Sequence, residues 1–134
     1  MNSSPGTDLR KAVQAESPLQ LVGVTNPYHG VMAKSAGFIA LYLSGSGVAT
    51  ASYGLPDLGM TTLDNVLEDV RRVVTAVDLP LVGDVETGWG GAFMIARTMK
   101  EMARAGAAGV HIEDQVQDKR CGHRPGKQIV STLE

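Results

Sequence analysis

The sequence predicts a parallel α/β fold, and three observations carry that expectation. Apolar runs of strand length recur along the chain, each followed by a stretch whose apolar residues fall at helical spacing. The 134 residues are 43% apolar and 19% charged, a globular balance. Nothing reads as a linker, a repeat or a low-complexity tract. Strands alternating with helices imply βα units around a parallel sheet; a doubly wound sheet and a (β/α)8 barrel both begin this way.

Taken in order, residues 1–15 read as a leading helix, with Thr7 as cap and Asp8 in the first turn. Leu19 to Val24 is a first strand, ended by Asn26-Pro27. Gly30 to Ala36 reads as a short helix stopped by Gly37. Phe38 to Leu43 is a second, buried strand. Thr61 or Thr62 can cap the next helix, with Asp64 three residues after Thr61. Leu63, Val66, Leu67, Val70, Val73, Val74 and Val77 then repeat at helical spacing. Leu81 to Val85 is the third strand, Ala92 to Ala105 a helix closed by Gly106, and Gly109 to Glu113 the fourth strand.

Composition excludes several classes. No run approaches the ~18 apolar residues of a membrane helix. Met1 to Pro18 is too polar for a secretory signal. A single cysteine, Cys121, rules out an internal disulfide framework and fits a reducing cytoplasm. A net charge of −2 argues against electrostatic binding of nucleic acid. Four strands make half of a barrel, which typically needs ~250 residues. Lys127 to Glu134 reads as a loop leading toward a further helix. The expectation is therefore a fragment, or a gene truncated after its fourth strand.

In either parallel architecture, chemistry gathers beyond the carboxyl ends of the strands. Those positions hold Asn26 and His29, then Ser44-Gly45-Ser46-Gly47, then Asp84 and Glu86, then Glu113 and Asp114. Asp84, Glu86, Glu113 and Asp57 are carboxylates able to converge, and converging carboxylates need a cation or proton among them. An all-oxygen set suits a hard cation such as Mg²⁺. The plainer alternative makes Glu113 and Asp114 helix-start acids and leaves Glu86 solvated. The Ser-Gly-Ser-Gly run offers backbone N–H groups to an anion, such as a carboxylate, or is simply a tight turn. It matches the dinucleotide fingerprint only in part, because Thr50 stands where that pattern takes Gly or Ala.

Lys119, Arg120, Arg124 and Lys127 fall within nine positions around Cys121. Positive neighbours lower a thiol's pKa and raise its reactivity. The alternative is a solvated basic face. One Cys with scattered His residues does not make a zinc site. His111, inside the fourth strand, reads as a packed or hydrogen-bonded core residue. Trp89 lies either on a mobile flap or over the core.

Lys119-Arg120-Cys121-Gly122-His123 resembles the signature of the isocitrate lyase / phosphoenolpyruvate mutase superfamily. Tyr42 to Gly47, Gly54 to Gly59 and Gly106 to Gln115 support the resemblance, which runs from about Pro18 to Ser131 and is strongest to the 2-methylisocitrate lyases. It implies that residues 1–134 are the N-terminal half of one lyase barrel: a leading helical segment over 1–18, then βα units and an active-site loop over 19–134. The fold class is thus α/β, the first four βα units of a (β/α)8 TIM-type barrel.

The implied activity is a cytoplasmic, Mg²⁺-dependent (Mn²⁺ as substitute) carbon–carbon lyase of propionate catabolism. It would split methylisocitrate to pyruvate and succinate, as a homo-oligomer, a tetramer. The resemblance implies Asp84 as direct metal ligand, Glu86 as a second metal carboxylate, and Asp57 and Glu113 as holders of metal-bound water. Ser44, Gly45 and Ser46 would bind the pyruvate moiety. Cys121 would return the proton, Gly122 would contact substrate, and His123 and Arg120 would tune the thiol and orient its loop. The sequence departs from the pattern at Glu86, where Asp is usual, and in the Trp89-Gly90-Gly91-Ala92 stretch, which is about one residue shorter. Groups that later strands should supply are missing. Three alternatives remain: isocitrate lyase, a mutase-like enzyme acting on oxaloacetate or a phosphonate, and a non-enzymatic truncated product. Cys121 favours a lyase over the mutase-like branch.

Overall fold

A computed structural model describes residues 3–131 of the chain. The elements follow in the order α1 (Pro5–Ala15), β1 (Val22–Val24), α2 (Pro27–Ser35), β2 (Leu41–Leu43), α3 (Gly45–Gly47), α4 (Leu63–Ala76), β3 (Leu81–Asp84), α5 (Ala92–Ala105) and β4 (Gly109–His111). A wider π turn, Val48–Ser52, continues α3. The strands lie side by side in sequence order and every pair is parallel. Val22 pairs with Leu41, Leu41 with Leu81, and Val82 with Gly109. This is the βα succession that the alternating pattern predicts.

Alternation along each strand splits its side chains between two faces. Leu41, Leu43 and Leu81 are fully buried and join Val24 in one core with Val66, Leu67, Val70 and Val73 of α4 and Met102 of α5. Tyr42, between two leucines on β2, turns to the opposite face, which carries Asp84 and His111. Burying one such leucine is worth roughly 1.5–3 kcal/mol, so the helix-covered face anchors the sheet and leaves the other for polar groups. The leading helix packs beside β4, where Gly6 approaches the Ala108 carbonyl and Leu9 approaches Gly109.

The element boundaries show where local hydrogen bonding overrules pattern. Ser4, not Thr7, caps α1: its hydroxyl accepts from the Thr7 N–H at 3.3 Å. Helix α2 starts at Pro27 rather than Gly30, because Asn26 Oδ1 accepts from the His29 N–H at 2.9 Å and Pro27 needs no donor. Thr62 caps α4, with Asn65 rather than Asp64 closing the reciprocal bond. Helix α5 spans Ala92–Ala105 and stops at Gly106, as expected. The strands are shorter than the apolar runs, because apolar residues such as Phe38 pack against the core outside the paired stretch. Trp89 takes the core-covering alternative, its indole N–H donating to the Thr61 carbonyl at 2.8 Å. The end of the expected terminal loop, residues 132–134, lies outside the described residues.

Candidate metal centre and thiol strap

Asp84 closes β3 and is buried. Both of its carboxylate oxygens accept backbone hydrogen bonds, Oδ2 from Gly45 N–H at 3.1 Å and Oδ1 from Glu86 N–H at 3.0 Å. The Ser44–Gly47 run is therefore not a free turn, and its Gly45 N–H is already engaged by the chain's own carboxylate. It is the start of α3, with Ser44 Oγ accepting from Gly47 N–H at 3.2 Å, and Gly45 already faces an anion, the Asp84 side chain. Close approach explains the glycine: a Cβ at position 45 would collide with the Glu86 carboxylate and lie 3.1 Å from Asp84 Oδ2.

Glu86 is buried, with a left-handed backbone at φ +52. That conformation lets its own N–H cap Asp84 while its carbonyl accepts from Glu113 N–H at 2.7 Å. Asp84, Glu86 and Glu113 each present an oxygen, all within 4.8 Å of one another. The alternatives of a solvated Glu86 and of helix-start acids at 113–114 do not hold: Glu86 is 3% exposed, and no helix among the described residues follows Glu113. Asp57 faces the same group and is mostly buried.

One cation lies among these acids, and it comes from the basic segment. Lys119 Nζ is bonded to Glu86 Oε2 and lies 3.2 Å from Asp57 Oδ1 and 3.3 Å from Glu113 Oε2. The solvated-face reading of the basic run is thus corrected at Lys119, which is 5% exposed. Burial alone would lower its pKa, but the bond and charge of Glu86 and the charge of Asp57 outweigh it and hold the ammonium above the usual lysine range. Burial, with the neighbouring charges of Asp84 and Asp57, raises Glu86 against the opposing pull of Lys119.

Residues 114–130 form a strap pinned at its base. Val130 N–H donates to the Asp114 carbonyl at 2.8 Å and Val116 N–H to Gln128 at 2.9 Å. Gln115, buried, ties the strap to the cluster: its Nε2 donates to Glu113 Oε2 at 2.7 Å and to the Arg120 carbonyl at 2.9 Å. The strap carries Cys121, half-buried, two residues after Lys119. Gly122 sits against the cluster, a Cβ there lying 3.9 Å from Glu113 Oε1. Arg120 and His123 are exposed, and Arg120 Nη1 reaches the Pro125 carbonyl at 3.5 Å. Asn26 and His29 serve the α2 cap instead.

Gln115 and Tyr42 belong to this neighbourhood without a role assigned by sequence reasoning, which read Lys119 only as a basic neighbour of Cys121 and not as a partner of the carboxylates. Tyr42 Oη lies 2.8 Å from His111 Nδ1, and burial with the Asp84 charge raises the phenol's pKa. His111 is hydrogen-bonded, as expected, but exposed rather than packed in the core. The one available signal for Lys119 is charge balance: four carboxylates brought together need a cation, and the nearest candidates lie in the basic segment.

The sequence pattern of the phosphoenolpyruvate phosphomutase family matches residues 9–134. The chain belongs to this family. It is 63% identical over all 134 residues to the 2-methylisocitrate lyase of Vibrio cholerae and covers 44% of that protein. The crystal structure of 2,3-dimethylmalate lyase, a member of the phosphoenolpyruvate mutase/isocitrate lyase superfamily, superposes with a TM-score of 0.85 at 38% identity, over 99% of this chain and 45% of that one. A phosphonopyruvate hydrolase crystallised with oxalate and Mg²⁺ superposes with a TM-score of 0.77 at 26% identity, over 98% of this chain and 44% of that one. The four parallel βα units match the first units of the superfamily's barrel, and the chain spans under half the length of the relatives it matches.

Proposed function

We propose that this chain carries the carboxylate centre and proton-donating strap of a 2-methylisocitrate lyase, which splits 2-methylisocitrate into pyruvate and succinate. The observation that carries the reading is the convergence of Asp84, Glu86 and Glu113 beneath a strap bearing Cys121, in a chain 63% identical to a 2-methylisocitrate lyase. A divalent cation fits the donor set. Three carboxylates face one ammonium, Asp84 stands beside them as a fourth, and every donor is a hard oxygen. Asp84 and Glu86 would hold Mg²⁺, or Mn²⁺ in its place, with Asp57 and Glu113 acting through water. When bound, the cation supplies positive charge that polarises oxygens of the substrate.

The remaining chemistry belongs to the chain. Ser44, Gly45 and Ser46 bind and orient the pyruvate moiety. The hydroxyl proton passes to water, and the bond from the hydroxyl-bearing carbon to the succinate half breaks. The hydroxyl-bearing carbon becomes the keto carbon of pyruvate, and water restores the proton that Cys121 gives up. The electron pair of the broken bond stays on the succinate half, conjugated with its carboxylate, and Cys121 Sγ returns a proton to that carbon. Gly122 contacts substrate, while Arg120 and His123 orient the strap and tune the thiol. Lys119 keeps its proton and contributes fixed positive charge. The complete enzyme is read as a cytoplasmic homo-oligomer, a tetramer. No described helix is long and apolar enough to cross a membrane.

The test joins this chain to the remaining part of the Vibrio cholerae relative and measures pyruvate release from 2-methylisocitrate beside glyoxylate release from isocitrate and turnover of oxaloacetate. Pyruvate release from 2-methylisocitrate is expected, lost in Asp84→Ala and cut by ~10² or more in Cys121→Ser. Turnover that persists in excess chelator, or a preference for isocitrate or oxaloacetate, would overturn the reading.

A further inference from the structure

We infer that Lys119 is a built-in counter-cation that competes with a divalent cation for the carboxylate cluster, so that loading the cluster loosens the strap carrying Cys121. The inference rests on the metal reading above. Glu86 and Glu113 supply two of the three converging carboxylates, and both face Lys119 Nζ. An ammonium has three N–H donors, and here three carboxylates, from Asp57, Glu86 and Glu113, meet them. A second cation drawing on the same oxygens repels the first and weakens its hold.

The stem of Lys119 is as closely seated as its head. The Asp57–Met60 turn passes over it, and Gly59, with φ +67, would place a Cβ 3.2 Å from Lys119 Cγ. Among the described residues, every ion pair between the strap and the rest of the chain runs through Lys119. The strap's other ties are hydrogen bonds of Gln115 and the backbone pairs at its base. Losing the Lys119 contacts therefore leaves the middle of the strap, around Cys121, tied to the cluster through the Gln115–Arg120 hydrogen bonds alone, while the base stays paired. With Glu113, the coupling is carried by Glu86, since each both contacts Lys119 and belongs to the cluster, and Glu86 makes the closer contact. Its left-handed backbone fixes where that carboxylate stands.

Two measurements test this. Mn²⁺ binding, followed by electron paramagnetic resonance, is compared between the unaltered chain and Lys119→Met. Competition predicts about tenfold tighter binding in the variant, the scale of removing one like-charged neighbour. In the unaltered chain, amide hydrogen exchange over residues 117–127 is measured with and without Mg²⁺, and faster exchange with the cation is expected. Equal or weaker Mn²⁺ binding in Lys119→Met, with the unaltered chain binding normally, overturns the competition and leaves the metal reading standing. Strap exchange that slows or stays constant under saturating Mg²⁺ overturns the coupling without needing the variant to fold. Failure of both proteins to bind Mn²⁺ removes the metal reading and this inference together.

Discussion

At the scale of single residues, the site depends on groups whose surroundings set aside their usual behaviour. Burial, and then the nearby Asp84 carboxylate, make the ionised form of Tyr42 unfavourable, and Lys119 lies among carboxylates that make its neutral form unfavourable. Unfolded, the two would lose protons near their ordinary values of 10.0 and 10.5. Folded, both keep them to higher pH. The folded state then binds more protons in that window, so their stabilisation is complete below it and is lost as pH rises through the raised values. Urea midpoints are expected to fall above about pH 10 and to fall less in Tyr42→Phe. A midpoint that is flat across that range, or one whose fall Tyr42→Phe leaves unchanged, would refute the assignment. Sequence reasoning reached Asp84, Glu86 and Glu113 because strand ends locate acids, and added Asp57 as a further carboxylate able to converge with them. It missed Lys119 because a lysine inside a basic run looks solvated until the chain's path is known.

At the scale of elements, existence and type were readable for the strands and the longer helices, while starting points, and the short α3 with the π turn after it, were not. Periodicity reports the face of a helix, whereas the first turn depends on which side chain closes a bond to a free N–H. For α4 the closing pair is Thr62 with Asn65, and spacing alone did not separate Thr62 from Thr61 or Asn65 from Asp64. Thr62→Ala is expected to cost about 1 kcal/mol, within the ~0.5–2 range for a lost cap, measured by urea unfolding. A change within error would show that the cap contributes nothing. The glycine-rich run after β2 shows the same limit at the site. Its composition announced a backbone able to approach an anion, but it did not announce that the anion is the chain's own Asp84.

At the scale of the whole molecule, the sheet presents one face to the helices and the other to the polar groups, with β1 and β4 at its edges. The order and parallel sense of the strands were legible, because βα alternation permits few arrangements. The assembly of the site was legible only as a set of strand ends. Its centre is completed by a contact between Glu86 and Lys119, 33 positions apart, and no local pattern encodes it.

That contact also gives the site a direction in time. During synthesis Asp57, Asp84, Glu86 and Glu113 leave the ribosome before Lys119, so the acids can gather only against their own repulsion until the lysine emerges. A chain without the strap therefore lacks the one cation paired with Asp57, Glu86 and Glu113 among the described residues. A chain ended at Asp118 is expected to yield to protease much faster than one ended at Val130, and added Mg²⁺ to restore part of the difference. Equal resistance of the two would show that the lysine arrives at a face already set.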